Sequence, residues 1–489
     1  MIKGIWAAND DMGIGALEEL DSPTGQPTYW VVTFAAYRYP LYSITTFIMP
    51  NHPAVTPLTR RKFLKIAGVG GALASTIAVR KSDAQNSAPN LNVRGSLTVF
   101  DFGSAKTQKI YKDAIGRFNQ KYPNVRVQEE YQPFPNSWSQ YINGLRTRVA
   151  SGLETDVVAL AIEGVRLTVR DGMMLPLDDL IAGDAEAQAM LAGTAPALTN
   201  ALKVDGKIYY LTREFNNMCI HYNTKLFTNA GVEPPKKDWT WDDFVNVGKK
   251  LTKGEGGNQI FGFGIPFFNF GLQPWFLTNS TSPLSPDWTK SNLDDPKVLE
   301  SVKFLHSLVY ESKIAPSVGS GFSNGASMLA GGRLAMTGGG HWLLDTYLSN
   351  NFKDVNVQYW PRKTSSTSVF GSGGWGINKR SKDPKLAFAL IKELNSLETQ
   401  KAIAAVGDAV PGLEAATEMP AFKDFPANSK IFYECLRDAK PVPCPANYTE
   451  MEGIFMRHMQ EIMSNAVTPE QGLEQAHKEL SAAMAKLST

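Results

Sequence analysis

The chain has 489 residues, with 49 lysines and arginines against 47 aspartates and glutamates, 6 histidines and a formal net charge of +2 at pH 7. So even a balance provides no field for a polyanion and argues against a nucleic-acid partner. No metal-ligand spacing occurs among Cys219, Cys435 and Cys444, and the histidines at 221, 306, 341, 458 and 477 form no cluster, so neither a metal nor another cofactor is expected.

In chain order, the first punctuating feature is Thr59-Arg60-Arg61-Lys62-Phe63-Leu64-Lys65, followed by the apolar run Ile66 to Val79. That run is 14 residues long and contains Gly68, Gly70 and Gly71, short of the roughly 18 to 20 apolar residues a membrane-spanning helix needs. The motif resembles a twin-arginine export signal, which predicts a signal peptide over 59–84, cleavage after Ala84 and a periplasmic destination. No cysteine follows the run to carry a lipid. Residues 1–58 precede the arginine motif and read as an extension; a conventional leader would start at Met49, so 1–48 read as a misassigned start or a disordered segment. Residues 85–489 suffice for two domains of ordinary size.

Leu97 to Phe102 reads as a buried strand, and Ile110, Ala114, Ile115 and Phe118 then recur at helical spacing over 106–121. A turn at Tyr122-Pro123-Asn124, a β-rich run from Val125 to Tyr131, a helix from Trp138 to Val149 and an apolar run from Asp156 to Ile162 continue the alternation. The pattern predicts an α/β domain with a mainly parallel sheet, whose ligand positions lie beyond the strand ends, at Phe102 to Ser104, Gln132 to Trp138 and Ile162 to Val165. Gly206 to Leu211 and Met218 to Tyr222 read as β-like runs joined by a polar stretch, Thr212 to Asn217, where the chain crosses to a second domain. There follow a helix from Trp241 to Leu251, a Gly/Phe-rich stretch at 261–271, a helix from Lys297 to Glu311, strands after Gly332 and over Val355 to Pro361, and a second crossing at Ser368 to Asn378. Pro384 to Ser396 and Leu473 to Leu487 are helical, with a loop at Pro411-Gly412 between them.

The chain carries no Gly-x-Ser-x-Gly elbow, no His-Glu-x-x-His and no phosphate loop, and its glycine-rich pieces at 254–257 and 338–340 lack the strand and helix frame of a dinucleotide site. Asp101, Glu163 and Glu214 fall at predicted strand ends, where they can act as a glycosidase pair or simply accept hydrogen bonds from a polyol. Phe102, Trp138, Phe215, Trp275, Trp342 and Trp375 sit near the predicted crossings, where an aromatic face can cover the C–H face of a sugar ring, or pack in the core. Trp239 and Trp241 are assigned to the start of a helix. Cys435 and Cys444 are candidates for a bridge, with free buried thiols as the alternative.

Several blocks in order resemble the extracellular solute-binding proteins of carbohydrate ABC importers, the group that includes maltose-binding and glycerol-phosphate-binding proteins. They are Phe118 to Val127, Ser151 to Val158, Asp205 to Tyr209 with His221 to Phe227, Ala230-Gly231, Pro234-Pro235 and Thr240-Trp241, then Gly332 to Thr337 before Trp342, and Gly373 to Ile377. The resemblance covers about 95–489. It implies a two-lobe periplasmic-binding-protein fold of mainly parallel sheets, with hinge strands and a ligand cleft between an amino-terminal lobe (95–211 plus 374–427) and a carboxy-terminal lobe (212–373 plus 428–489). It further implies a monomeric, non-catalytic receptor that delivers a sugar or oligosaccharide to the transmembrane subunits of a permease. The binding residues it carries over are Phe102, Ser104, Glu163, Glu214, Phe215, Trp342, Gly374 and Trp375, with Trp275 added by its chemistry and position. Where relatives usually have Gly-x-Pro after the crossing tyrosine, this chain has Tyr210-Leu211-Thr212-Arg213-Glu214. Arg213 there can face an anionic solute, such as a uronate or glycerol phosphate ester, or pair with Glu214. An exported polysaccharide-degrading enzyme using two of the three carboxylates is the remaining alternative.

Overall fold

The computed structural model describes residues 90–133, 137–318 and 323–487, together with four strands between residues 2 and 50. Those strands, Ile2–Trp6, Gly15–Leu20, Tyr29–Arg38 and Leu41–Pro50, pair in sequence order as an antiparallel sheet within the unit Met1–Gln85, separate from Asn86–Thr489. The twin-arginine motif, the apolar run after it and the expected cleavage site lie outside the described residues.

In the second unit the chain opens with β1 (Gly95–Gly103), whose Leu97 to Phe102 are buried on both faces, as expected where helices cover both sides of a sheet. Helix α1 (Ala105–Lys121) follows at once: the Ser104 side chain accepts from the Thr107 amide, and Thr107, Tyr111, Ala114, Ile115 and Phe118 form its buried stripe. Strand β2 (Val125–Pro133), helix α2 (Trp138–Ala150), the fully buried β3 (Val157–Ala161) and helix α3 (Ile162–Arg170) complete the parallel half, with β1 running parallel to both β2 and β3.

The first sheet is then completed by β4 (Tyr210–Asn217) and by β9 (Val369–Asn378), the strand that brings the chain back, in the order β4-β9-β3-β1-β2, with Val410–Pro411 beyond β4. Both β4 against β9 and β9 against β3 are antiparallel. The sheet is therefore mixed rather than mainly parallel, because a strand that returns from another lobe enters without the crossover helix that imposes parallel direction. A second sheet has the order β6-β7-β5-β8, from β5 (Cys219–Asn223), β6 (Phe261–Gly264), β7 (Leu334–Gly339) and β8 (Val355–Gln358). It too is mixed: β6 and β7 are parallel, while β5 is antiparallel to β7 and β8.

The chain thus passes between sheets twice, at Met218 between β4 and β5 and between Gln358 and Val369. The stretch Thr212 to Asn217, expected as a polar connection, is strand instead. Its backbone pairs with β9, and its charges are compensated inside the fold by one another and by Asp101. The β4–β9 register steps from Thr212↔Gly374 to Glu214↔Gly373, so Arg213 is the extra residue of a bulge, the device by which a strand redirects a side chain.

All three cysteines are free and buried. Cys435 Sγ lies 3.9 Å from Cys219 Sγ, at the start of β5, while Cys444 Sγ takes the Arg166 guanidinium at 3.4 Å. Of the two readings of Cys435 and Cys444, free buried thiols hold and the bridge does not, because the segment carrying Pro441 and Pro443 takes Cys444 to Arg166 and leaves Cys435 beside Cys219.

Candidate ligand-binding cleft

A cavity of about 260 Å³, open to solvent, is lined from both sides of the two crossings. The first sheet contributes Phe102, Gly103 and Ser104 at the end of β1, Ser137 and Trp138 at the head of α2, Ala161 and Glu163 where β3 turns into α3, Glu214, Phe215 and Asn216 of β4, and Gly371 to Gly373 of β9. These are the carboxyl ends of β1, β2 and β3, where a sheet of this kind leaves room for a ligand. Facing them are Phe268 and Phe270, around the start of the helix Asn269–Leu277, and Trp342, three residues beyond β7. Asp408, Ala409, Tyr448 and Glu452 close the cavity from segments far along the chain.

The aromatic residues form two groups. Trp138 is half-buried and packs edge-on to Phe102 at 4.8 Å, while Trp342, also half-buried, stands 6.1 Å from Phe270 and 6.4 Å from Phe268. Asn216 Oδ1 accepts from the His341 amide at 2.9 Å and so ties β4 to the turn that presents Trp342. Gly103 has φ +144°, and a Cβ there would meet Thr107 at 3.2 Å, so glycine keeps the rim of the cavity open beside the Ser104 cap.

The remaining expected site residues do not line this cavity. Trp275 is fully buried in the aromatic core of the second lobe, with ring centroids 5.0 Å from Trp360, 5.3 Å from Phe244 and 5.8 Å from Trp241. Trp375 is also fully buried, edge-on to Tyr111 at 5.0 Å. At Gly374 a Cβ would sit 2.7 Å from Tyr210 Cβ and 3.0 Å from the Leu211 carbonyl oxygen, so glycine there serves close strand packing. Arg213 is 2% exposed and lies behind the cavity wall. Its Nη1 donates to Asp101 Oδ1 at 2.8 Å, its Nε is 3.3 Å from Glu214 Oε1, and its guanidinium carbon is 4.7 to 4.9 Å from the rings of Tyr111, Phe102 and Trp375. Caged and ion-paired in this way, it is not among the residues that line the cavity.

Of the three carboxylates singled out in the sequence, Asp101 is sealed in with Arg213, and only Glu163 and Glu214 line the cavity. Each has a buried Oε2 without a hydrogen-bond partner. Burial pushes the Glu163 carboxyl up to about 8, assisted by the charge of Glu452, and burial likewise raises Glu214 against the opposing pull of Arg213. Asp408 is raised to about 7, chiefly because it loses water and then because Glu214 is near. Glu452 accepts from the Tyr448 hydroxyl at 2.9 Å and from Ser139. Among the described lining residues none is a lysine, arginine or histidine. His221 and His341, which do lie near the crossings, are packed against Phe432 and pushed down to about 3 by burial, so they are neutral core side chains.

Trp138 lines the cavity at the ligand position expected beyond the second strand, although the family resemblance does not carry it over, and the Gly/Phe-rich stretch that holds Phe268 and Phe270 has no role assigned by the sequence. Asp408, Tyr448 and Glu452 carry no local signal, since tertiary packing alone brings them to the cleft.

The profile of the family described as bacterial extracellular solute-binding protein matches residues 113–430. A Brucella abortus protein described as a binding protein is 22% identical over 411 residues, covering 80% of this chain and 93% of its own length. Among solved structures, an ABC substrate-binding protein of Listeria monocytogenes in complex with cycloalternan superposes with a TM-score of 0.72 at 23% identity, over 80% of this chain and all of its own. A maltose-bound Thermotoga maritima protein does so with a TM-score of 0.69 at 21% identity, over 79% of this chain and 99% of its own. With two sheets, two crossings and a cleft between them, and with the profile spanning most of that architecture, the chain belongs to the bacterial extracellular solute-binding protein family.

Proposed function

We propose that the protein is the exported receptor of an ABC importer, which captures a sugar or oligosaccharide in this cleft and delivers it to the permease. The observation that carries the reading is that Trp138 and Trp342 line one cavity from opposite sides of the crossings, with polar side chains between them. Such a cavity can cover both faces of a sugar ring while the polar groups hold its hydroxyls. The cycloalternan and maltose bound by the Listeria and Thermotoga proteins support the same class of solute. The lobes would turn about Met218 and the 359–368 connection, and a permease that recognises the closed form would read occupancy directly. Export by the twin-arginine route rests on Arg60-Arg61 and the run after them.

Calorimetric titration with a panel of oligosaccharides, followed by chromatography of the solute, tests the reading. Binding in the micromolar range, about −8 kcal/mol, with the solute recovered intact is expected. Cleavage products would instead favour the enzyme. The anionic-solute alternative is weakened by the cleft itself, because its carboxyl groups oppose a uronate or phosphate and Arg213 is engaged with Asp101 and Glu214.

A further inference from the structure

We infer that the solute carries a protonated amine, as an amino sugar or a basic oligosaccharide does, and that its ammonium group is held by Glu163 together with Glu214. The inference rests on the saccharide reading and specifies its chemistry. Glu163 is 2% exposed and Glu214 8% exposed; both residues line the cavity, and each keeps one carboxyl oxygen buried in its wall that nothing in the protein satisfies. A buried polar atom without a partner is costly, and a family of such atoms around one cavity points to a ligand that supplies the missing donors.

Charge decides which kind of donor. Among the described residues the cation paired with this group of acids is Arg213, and it is already shared between Asp101 and Glu214. Glu163, Asp408 and Glu452 have no basic partner among the described residues lining the cleft. The nearest cation on the same helix as Glu163 is Arg166, which is engaged by the Trp288 ring at 4.4 Å and the Cys444 sulfur at 3.4 Å. Glu452 is satisfied by Tyr448 and Ser139 and adds negative charge beside Glu163. Hydroxyls of a neutral sugar can donate to these oxygens but bring no charge to favour their ionised forms, which burial disfavours. An ammonium group supplies donors and charge together. The rings of Trp138, Trp342 and Phe270 around the same cavity also favour a cation, through their negative faces.

The two residues are close in the fold. Gly373 pairs with Ala161 on one side and Glu214 on the other, and Glu163 lies two residues beyond Ala161 in the first turn of α3. Adjacent strands lie about 4.8 Å apart, so the Ala161 and Glu214 backbones stand about 10 Å apart, within the combined reach of two glutamate side chains around one ammonium group.

Protons give a second signature. With Glu163 at about 8, its carboxyl is largely neutral at pH 7 in the empty cleft. An arriving ammonium favours the carboxylate, so binding expels a proton, and affinity rises from pH 5.5 until the solute's own amine, with a pKa of about 7 to 8, begins to lose its proton. A neutral sugar that accepts the carboxyl proton as a hydrogen bond shows the opposite trend.

The test is calorimetric titration of the whole protein with glucosamine oligomers, their N-acetylated counterparts and neutral gluco-oligosaccharides of equal length, between pH 5.5 and 8 and in two buffers of different ionisation enthalpy. The inference expects the free amine to bind at least about tenfold more tightly than either counterpart at pH 6.5, where the amine is protonated and Glu163 of the empty cleft is neutral, with proton release. It also expects Glu163→Gln to collapse that ratio towards one, and Glu163→Asp to restore part of it. Should Glu163→Gln fail to fold, proton release by the unaltered protein still decides the matter. Equal or tighter binding of the neutral oligomers, without proton release, overturns the amine and leaves the saccharide receptor standing. If no saccharide of any of the three kinds binds, the saccharide reading falls and the inference with it.

Discussion

Arg213→Ala should destabilise the protein by about 3–5 kcal/mol, read as a shifted urea midpoint, because it leaves Asp101 and Glu214 buried without their cation. The side chain is 2% exposed, so solvent screens little of this loss, and its removal also opens a void among Phe102, Tyr111 and Trp375. The loss should depend on pH in a defined sense. Burial already raises Asp101 from 3.8 and Glu214 from 4.5, and without Arg213 both rise further. A carboxyl whose folded value lies above its unfolded value gives up stability as pH rises from the unfolded value through the folded one. The variant's deficit is therefore full at neutral pH and shrinks as pH falls towards 4. An unchanged urea midpoint combined with lost solute binding would restore Arg213 as a direct contact, as the sequence also allowed.

The second large effect separates two tryptophans that look alike in the sequence. Trp342→Ala should weaken solute binding by about 2 kcal/mol or more, on the order of thirtyfold, since a half-buried ring in a cleft has the features of a binding hot spot. The unliganded protein should melt close to its original temperature. Trp375→Ala should do the reverse: its ring is fully buried against Tyr111, and its removal should cost about 3–5 kcal/mol of folding stability. Thermal unfolding and solute titration of the two variants check both halves. A Trp342 variant that binds normally would remove that ring from the site.

The contrast marks where sequence reasoning stops. From β1 to β3 the elements are legible to within a few residues, because continuous apolar runs alternate with a clear helical stripe and proline or glycine turns separate them. The same alternation locates the cavity's first wall, since Phe102, Ser104, Trp138 and Glu163 all stand at or just beyond predicted strand ends. Strand β4 was obscured by Thr-Arg-Glu-Phe-Asn-Asn, a composition that suits a loop until Asp101, 112 residues away, is seen to neutralise Arg213. Trp275, Trp342 and Trp375 share a residue type and a nearness to glycine or turns, and only packing assigns two to cores and one to the cleft. Asp408, Tyr448 and Glu452 belong to segments whose local pattern describes helices and turns, so their convergence on the cavity had no trace in sequence.

The central claim is that one solute is held between the two lobes by the side chains of this cavity. The most direct measurement is a crystal structure of the protein with a saccharide found by titration. The account predicts an intact solute within the cavity, one face on Trp342 or Trp138 and its polar groups within hydrogen-bond reach of Glu163 and Glu214. A saccharide bound elsewhere, or held through Arg213 after the Asp101 pair has opened, would contradict it.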